Sequence, residues 1–90
     1  TVDAIHAASQ VVVALQSIVS RNVSPLEPAV VSIGSFQAGS ASNVIAETAE
    51  LEGTIRAFDP EVLDQVRRRV REVAEGVAHS LGANAEVRFR

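Results

Sequence analysis

The sequence lacks cysteine, tryptophan, tyrosine and methionine, and three phenylalanines are its only aromatic residues. Without cysteine, the chain has neither a disulfide framework nor thiolate ligands for a metal. With so few aromatic residues, its core must be built from Val, Ile, Leu and Ala. Ninety residues are enough for one small domain with a modest core. We therefore predict a single domain over residues 1–90 with an aliphatic core.

The chain also has no large excess of charge of one sign and no long apolar run. The net charge is −3, so no basic surface for nucleic acid or an anionic membrane is expected. The longest apolar run, Val11–Leu15, falls far short of the ~20 residues that span a bilayer. No basic segment precedes it, so it is not a signal peptide. We expect a cytoplasmic protein with no nucleic-acid or membrane partner.

Two stretches have the apolar periodicity of helices. The first begins after Asp3, whose carboxylate suits the N-cap position, and runs to residue 21 or 22. Its outer face is polar but almost uncharged, which favours contact with another surface. The second begins at Asp59–Pro60, a typical helix start, and ends before Gly82, which suits the left-handed position after a helix.

Three stretches have the alternation of strands: Ala29–Ala38, Thr48–Phe58 and Ala85–Arg90. Gly34 permits a bulge or a close approach inside the first strand. The order αββαβ becomes the ferredoxin-like βαββαβ plan if one strand precedes it. We therefore predict an α+β two-layer sandwich with two helices on one face of an antiparallel sheet. The first strand of that plan is missing from these residues, so we expect an excised piece of a larger protein.

Few side chains suggest chemistry by their spacing. His6 and His79 fall on different helices, whereas a metal site needs three or four convergent ligands. Exposed helix positions are therefore the expected role for both histidines. Gly39–Ser42 does not match a nucleophile elbow, and the glycines do not form a phosphate-binding pattern.

The predicted open face of the sheet carries two neighbouring acids, Glu50 and Glu52. They could form an acid pair for catalysis. Solvated strand positions that partner Arg56 and Arg88 are the commoner arrangement for such residues. We expect this second arrangement.

Asn43 and Arg56 remain as candidates for binding. Asn43 lies in a loop of about ten residues, longer than most hairpin loops, and long loops in compact domains often carry function. An Asx-turn at Asn43 and an ion pair from Arg56 to a nearby glutamate are the structural alternatives. The functional alternative is that the amide and the guanidinium bind a substrate carboxylate or oxyanion. The residues alone leave both alternatives open.

Several short motifs occur along the chain in a fixed order. They are Val2–Ile5, Ala14–Arg21, Pro25 with Pro28–Val31, the Gly-x-x-x-Asn-Val-Ile of residues 39–45, and Leu51–Arg56. Together they resemble the dimerisation (lid) domain of the dimetal exopeptidase and aminoacylase family. The nearest branch is the N-acyl-amino-acid amidohydrolases, which include hippurate and auxin-conjugate hydrolases. The set covers nearly the whole chain.

The resemblance implies a two-domain enzyme that hydrolyses the amide bond of N-acyl amino acids or small peptides. A separate catalytic domain is expected to bind two divalent metals, usually zinc, that activate a water. The present domain would form a homodimer through the strand Ala29–Ala38 and the uncharged helix face. By position in the motifs, Arg56 would hold the carboxylate of the amino-acid half, and Asn43 would reach in from the partner subunit.

The chain departs from the family pattern at several positions. Ala46 stands where proline is common, Ser42 where proline is frequent, and Gln37 where some relatives have histidine. The family's lid histidine lies before these residues, and neither His6 nor His79 matches it. We therefore assign no catalytic residue and no metal ligand to this chain. The alternative is a stand-alone ferredoxin-like module that dimerises or binds a small ligand without catalysis.

Overall fold

The computed structural model describes residues 2–22 and 28–90, excluding the side chains of residues 20–22. Its elements are α1 (Ala4–Leu15), α2 (Ser17–Asn22), β1 (Ala29–Ala38), β2 (Ala49–Ala57) and α3 (Pro60–Ser80). The two strands form an antiparallel sheet, and the helices pack against it. The predicted α+β class is confirmed.

The first predicted helix forms as two helices separated at Gln16. Asp3 caps the first one as predicted, because its Oδ1 accepts a hydrogen bond from the Ile5 N–H at 2.9 Å. Near the break, Gln16 Nε2 donates to the Val12 carbonyl oxygen at 3.2 Å, and Ser17 Oγ donates to the Ala14 carbonyl oxygen at 2.8 Å. Such side-chain bonds compete with the helical ladder and bend helices. The sequence pattern did not reveal this break.

Both ends of α3 carry the predicted caps. The Glu61 N–H donates to Asp59 Oδ1 at 2.8 Å. At the other end Gly82 has φ 80°, and its N–H donates to the His79 carbonyl oxygen at 3.0 Å. The Ala83 N–H donates to the Ala78 carbonyl oxygen at 2.8 Å, which completes a Schellman motif.

A bulge in β1 changes which side chains of the strand lie on the helix-facing side of the sheet. The register shifts between Ile33 and Ser35, so Gly34 is the extra residue, and beyond it Phe36 pairs with Leu51. Because side chains alternate along a strand, the extra residue puts Phe36 on the same side of the sheet as Leu51, where Phe36 remains 40% exposed. The bulge predicted at Gly34 is confirmed.

The core lies between the helices and one face of the hairpin. Ile18 and Val66 are fully buried, and the described residues include no buried polar or charged side chain. The central cluster consists of Val11, Leu15, Ile18, Val62, Val66, Val70 and Ala74. The core is therefore aliphatic, as the composition predicts.

The prediction of a final strand near the C-terminal end of the sequence is wrong. Residues 83–90 form neither helix nor strand, because the described sheet ends at β2 and no strand lies beside them. Their side chains still alternate, and the apolar ones, including Phe89, pack against the core. The guanidinium carbons of Arg67 and Arg71 lie 5.9 and 5.1 Å from the centre of the Phe89 ring, within the range of cation–π attraction. The segment thus has the side-chain pattern of a strand without a backbone partner.

Gly53 marks a close approach of the two strands and gives a test of the register. A Cβ there would lie 2.3 Å from the Ser32 carbonyl oxygen, so the backbone would have to shift. We expect Gly53→Ala to lower the free energy of unfolding by about 1–3 kcal/mol, the cost of overpacking. Urea unfolding followed by circular dichroism measures the change.

Gly76 supplies the control for this test. It lies inside α3, and apart from the neighbouring backbone of that helix no described atom comes within 4 Å of the position that a Cβ would take. Gly76→Ala should raise the free energy of unfolding by up to about 1 kcal/mol, because alanine has the higher helix propensity. A Gly53→Ala chain as stable as the wild type would contradict the observed register.

Candidate functional site

The open face of the hairpin carries a fixed order of side chains. The exposed side chains of β2 on this face are, in order, Glu50, Glu52, Thr54 and Arg56. Their partners in β1, in the same order, are Gln37, Ser35, Ser32 and Val30. The face is therefore acidic and polar near the loop, and cationic and apolar at the opposite end.

Arg56 lies exposed at the cationic end of this face. The expected ion pairs with Glu50 or Glu52 do not form among the described residues. Arg88 pairs instead with Glu86, whose Oε1 accepts hydrogen bonds from Arg88 at 2.7 and 3.0 Å. These bonds raise the pKa of the Arg88 guanidinium. Arg88 is therefore engaged, whereas Arg56 presents its guanidinium without a described ion-pair partner.

The loop between the strands is tied to the start of α1. The Ala4 N–H, one of the donors left unpaired at a helix start, donates to the Ala46 carbonyl oxygen at 3.0 Å. Ala46 is buried. Gly39 has φ 85°, and a Cβ built on it would lie 3.6 Å from Ile5 Cδ1. Ala46 thus anchors the loop.

Asn43 lies exposed in this loop. With Asp3, Ile5 and the rest of residues 38–46 it lines an open depression of about 610 Å³. No hydrogen bond joins the Asn43 side chain to another residue in the described part of the chain, so the Asx-turn alternative is not found there. Val44 and Ile45, which follow it, are exposed as well. The loop therefore presents one amide beside two apolar side chains.

Asn43 and Arg56 lie at opposite ends of the hairpin. Arg56 is seven residues along β2 from Ala49, where the loop joins the strand, which corresponds to about 23 Å at the usual strand rise. The hydrogen bond between Ala4 and Ala46 keeps the loop at the far end. The two side chains of one chain therefore do not converge on a common point.

The histidines do not contribute to a site in the described structure. His6 and His79 are both exposed and belong to different helices. Residues 2–22 and 28–90 contain no group of three or more His, Asp or Glu that could hold a metal ion. No helix among them is long and apolar enough to cross a membrane.

Comparison with known proteins shows to which family the chain belongs. Residues 1–81 match the family model described as the peptidase dimerisation domain. The chain belongs to this family. The family predicted from the ordered motifs is thus confirmed.

The relatives of this dimerisation domain are longer proteins. The chain is 56% identical over 85 residues to an N-acetyldiaminopimelate deacetylase of Streptococcus suis, covering 94% of this chain and 23% of that protein. It is 49% identical over 89 residues to an N-acetylcysteine deacetylase of Bacillus subtilis, covering 99% of this chain and 23% of the relative. The chain therefore spans about a quarter of these curated relatives.

A solved structure has the same fold. It is a Bacillus subtilis protein described as a dinuclear metal binding peptidase from the M20 family. It superposes with a TM-score of 0.77 at 44% identity, covering 94% of this chain and 21% of that one. At this identity, the likeness extends beyond the fold to the family.

The coupling between the α1 cap and the loop can be tested. We expect Asp3→Ala to cost about 1 kcal/mol of stability, because it removes the N-cap. It should also speed hydrogen exchange at the Ala4 amide, whose bond to Ala46 holds the loop. Exchange measured by NMR gives the rate.

Ser9→Ala is the matched control, because the Ser9 hydroxyl donates within the same helix to the Ile5 carbonyl oxygen at 2.6 Å. It should leave the exchange of Ala4 unchanged. Equal exchange rates in wild type and Asp3→Ala would rule out the coupling.

Proposed function

We propose that this domain is the substrate-clamping lid of a metal-dependent amidohydrolase. Its substrates are N-acyl amino acids or small peptides, and Asn43 and Arg56 contact them. The observation that carries the proposal is the exposed Arg56 guanidinium, which has no described ion-pair partner in a chain of the peptidase dimerisation family. A planar guanidinium binds a carboxylate through two parallel hydrogen bonds. The deacetylase names of the curated relatives support an N-acyl amino acid as the ligand.

The hydrolytic chemistry belongs to a separate catalytic domain in this proposal. There, two divalent metals, for which we predict zinc, would supply an activated water. The description of one relative as dinuclear metal binding supports this assignment. The present chain contributes binding and orientation: Arg56 fixes the carboxylate, which holds the scissile amide at a set distance from it.

The separation of Asn43 from Arg56 supports a site shared between two subunits. An N-acetyl amino acid is about two backbone units long, or about 7 Å, far less than the ~23 Å between the ends of the hairpin. One substrate can contact both side chains only if they come from different chains. Arg56 therefore serves the site of its own subunit, and Asn43 serves the site of the partner.

The surface that forms the homodimer is the outer edge of β1 together with the uncharged face of α1. β1 pairs only with β2 in the described sheet, so its other edge offers unpaired backbone groups. On α1, Val13 is 67% exposed, and its exposed neighbours His6, Gln10 and Gln16 carry no acid or Lys/Arg charge. An edge and a neutral face of this kind suit a second copy of the domain.

Replacing Arg56 tests the clamp. In the full-length protein, Arg56→Ala should lower kcat/KM for an N-acetyl amino acid about a hundredfold, because two charge-assisted hydrogen bonds are lost. The dimer, measured by sedimentation, should persist. Arg88→Ala, which removes an exposed guanidinium already paired with Glu86, should leave kcat/KM unchanged.

The amide of the same substrate, which lacks the carboxylate, identifies the contact. The wild type should discriminate strongly against this amide, and Arg56→Ala should lose that discrimination. Wild-type turnover from Arg56→Ala would refute the clamp and favour a module without a role in catalysis.

Mixed dimers test the shared site. Dimers of Arg56→Ala and of Asn43→Ala should each be impaired. A heterodimer of the two variants should regain one intact site, because one chain supplies its own Arg56 and the other supplies Asn43. Purified, differently tagged heterodimers measure this. No regain of activity would place both residues in the site of a single subunit.

A further inference from the structure

Apolar side chains flank Arg56 on the open face. Val30 lies directly opposite it in the ladder and is 53% exposed, and such cross-strand neighbours have Cβ atoms about 5 Å apart. Phe58 comes two residues after Arg56 and is 91% exposed. Phe58 and Asp59 form a bend between β2 and α3. Because one residue separates Phe58 from Arg56, their Cα atoms lie no more than about 7 Å apart.

The two sides of Arg56 differ in character. Toward the loop its neighbours are Thr54 on its own strand and Ser32 on β1, both small and polar. Directly across the ladder lies Val30, and Phe58 follows beyond the end of β2; both are apolar and exposed. The guanidinium therefore lies at a boundary between a polar and an apolar surface.

Resting on the proposed role of Arg56, we propose that Val30 and Phe58 bind the side chain of the substrate's amino-acid half and select apolar side chains. In an α-amino acid, the carboxylate and the side chain leave the same carbon atom. A carboxylate held by Arg56 therefore places that side chain beside neighbours about 5–7 Å away. An apolar side chain covers Val30 and Phe58, whereas a polar one loses water there without gaining a hydrogen bond.

The acyl group occupies a different direction. It is joined through the amide nitrogen and points toward the scissile bond, away from the carboxylate. Val30 and Phe58 therefore discriminate among amino-acid side chains and not among acyl groups. The test can therefore vary the amino-acid side chain and the acyl group independently.

The experiment uses the full-length protein and two substrates of nearly equal shape, N-acetyl-L-leucine and N-acetyl-L-asparagine. The measured quantity is the ratio of their kcat/KM values. Phe58→Ala and Val30→Thr should each lower the leucine-to-asparagine ratio about tenfold, the usual effect of a lost apolar contact. Val30→Thr keeps the β-branched shape, so it changes polarity without disturbing the strand.

Two controls distinguish a change in side-chain specificity from a general loss of activity. Val2→Thr makes the same substitution just before α1, where the side chain is also exposed, and should leave the ratio unchanged. The ratio for N-acetyl-leucine against N-butanoyl-leucine should be unchanged in Phe58→Ala and Val30→Thr. If a substrate is not turned over, the ratio of the inhibition constants of free leucine and free asparagine measures the same preference at the level of binding.

Two results would overturn the inference. One is an unchanged leucine-to-asparagine ratio in both variants. The other is an equal loss on both substrates, which would mean that Phe58 packs against another part of the protein. Arg56→Ala keeps the two proposals distinct: if it is impaired while the ratio stays fixed, only the role of Val30 and Phe58 fails. If it retains wild-type activity, the clamp itself fails.

Discussion

The antiparallel ladder between β1 and β2 is the constraint on which the rest of the domain depends. Its register, shifted at Gly34, determines which side chains of both strands face the helices. Sliding one strand by a single residue would expose Leu51 and Ile55 and bury Arg56. The close contact of Gly53 with the Ser32 carbonyl disfavours such a slip, because another residue at this position would bring a Cβ against the backbone. The same register sets both the core and the open face.

The ladder also explains why the two candidate binding residues are far apart. Asn43 belongs to the loop at one end of the hairpin, and Arg56 lies near the other end, opposite Val30. The hydrogen bond from the Ala4 N–H to the Ala46 carbonyl oxygen holds the loop at its end of the hairpin. An element of this kind is better suited to bridging two sites than to closing around one. The proposed dimeric site follows from this geometry.

Local chemistry made much of the fold predictable. The caps at Asp3, Asp59 and Gly82 depend on residues within one helical turn, so sequence patterns reveal them. The exposed position of Arg56 follows from alternation along one strand. The bulge needed only the absence of a side chain at Gly34. Asn43 and Arg56 were found as candidates by elimination, and their proposed roles came from family resemblance.

The remaining features depend on which of several partners a segment or side chain meets in the folded chain. The final segment has the alternation of a strand, but a strand requires a neighbouring backbone, which no periodicity within the segment supplies. Arg88 pairs with Glu86 and not with Glu50 or Glu52. The sequence does not show which of these glutamates Arg88 will meet. Val30 became a candidate only when the register placed it opposite Arg56.

Both edges of the described sheet are unpaired, and this connects stability to function. A two-stranded sheet is marginal unless other elements cover it, and here the helices cover one face only. The outer edge of β1 and the free edge of β2 both offer unpaired backbone groups in the described sheet. Partners at these edges would complete the sheet that carries Arg56 and, through the loop, Asn43. The groups that stabilise the domain on association are therefore the same ones that would position its binding residues.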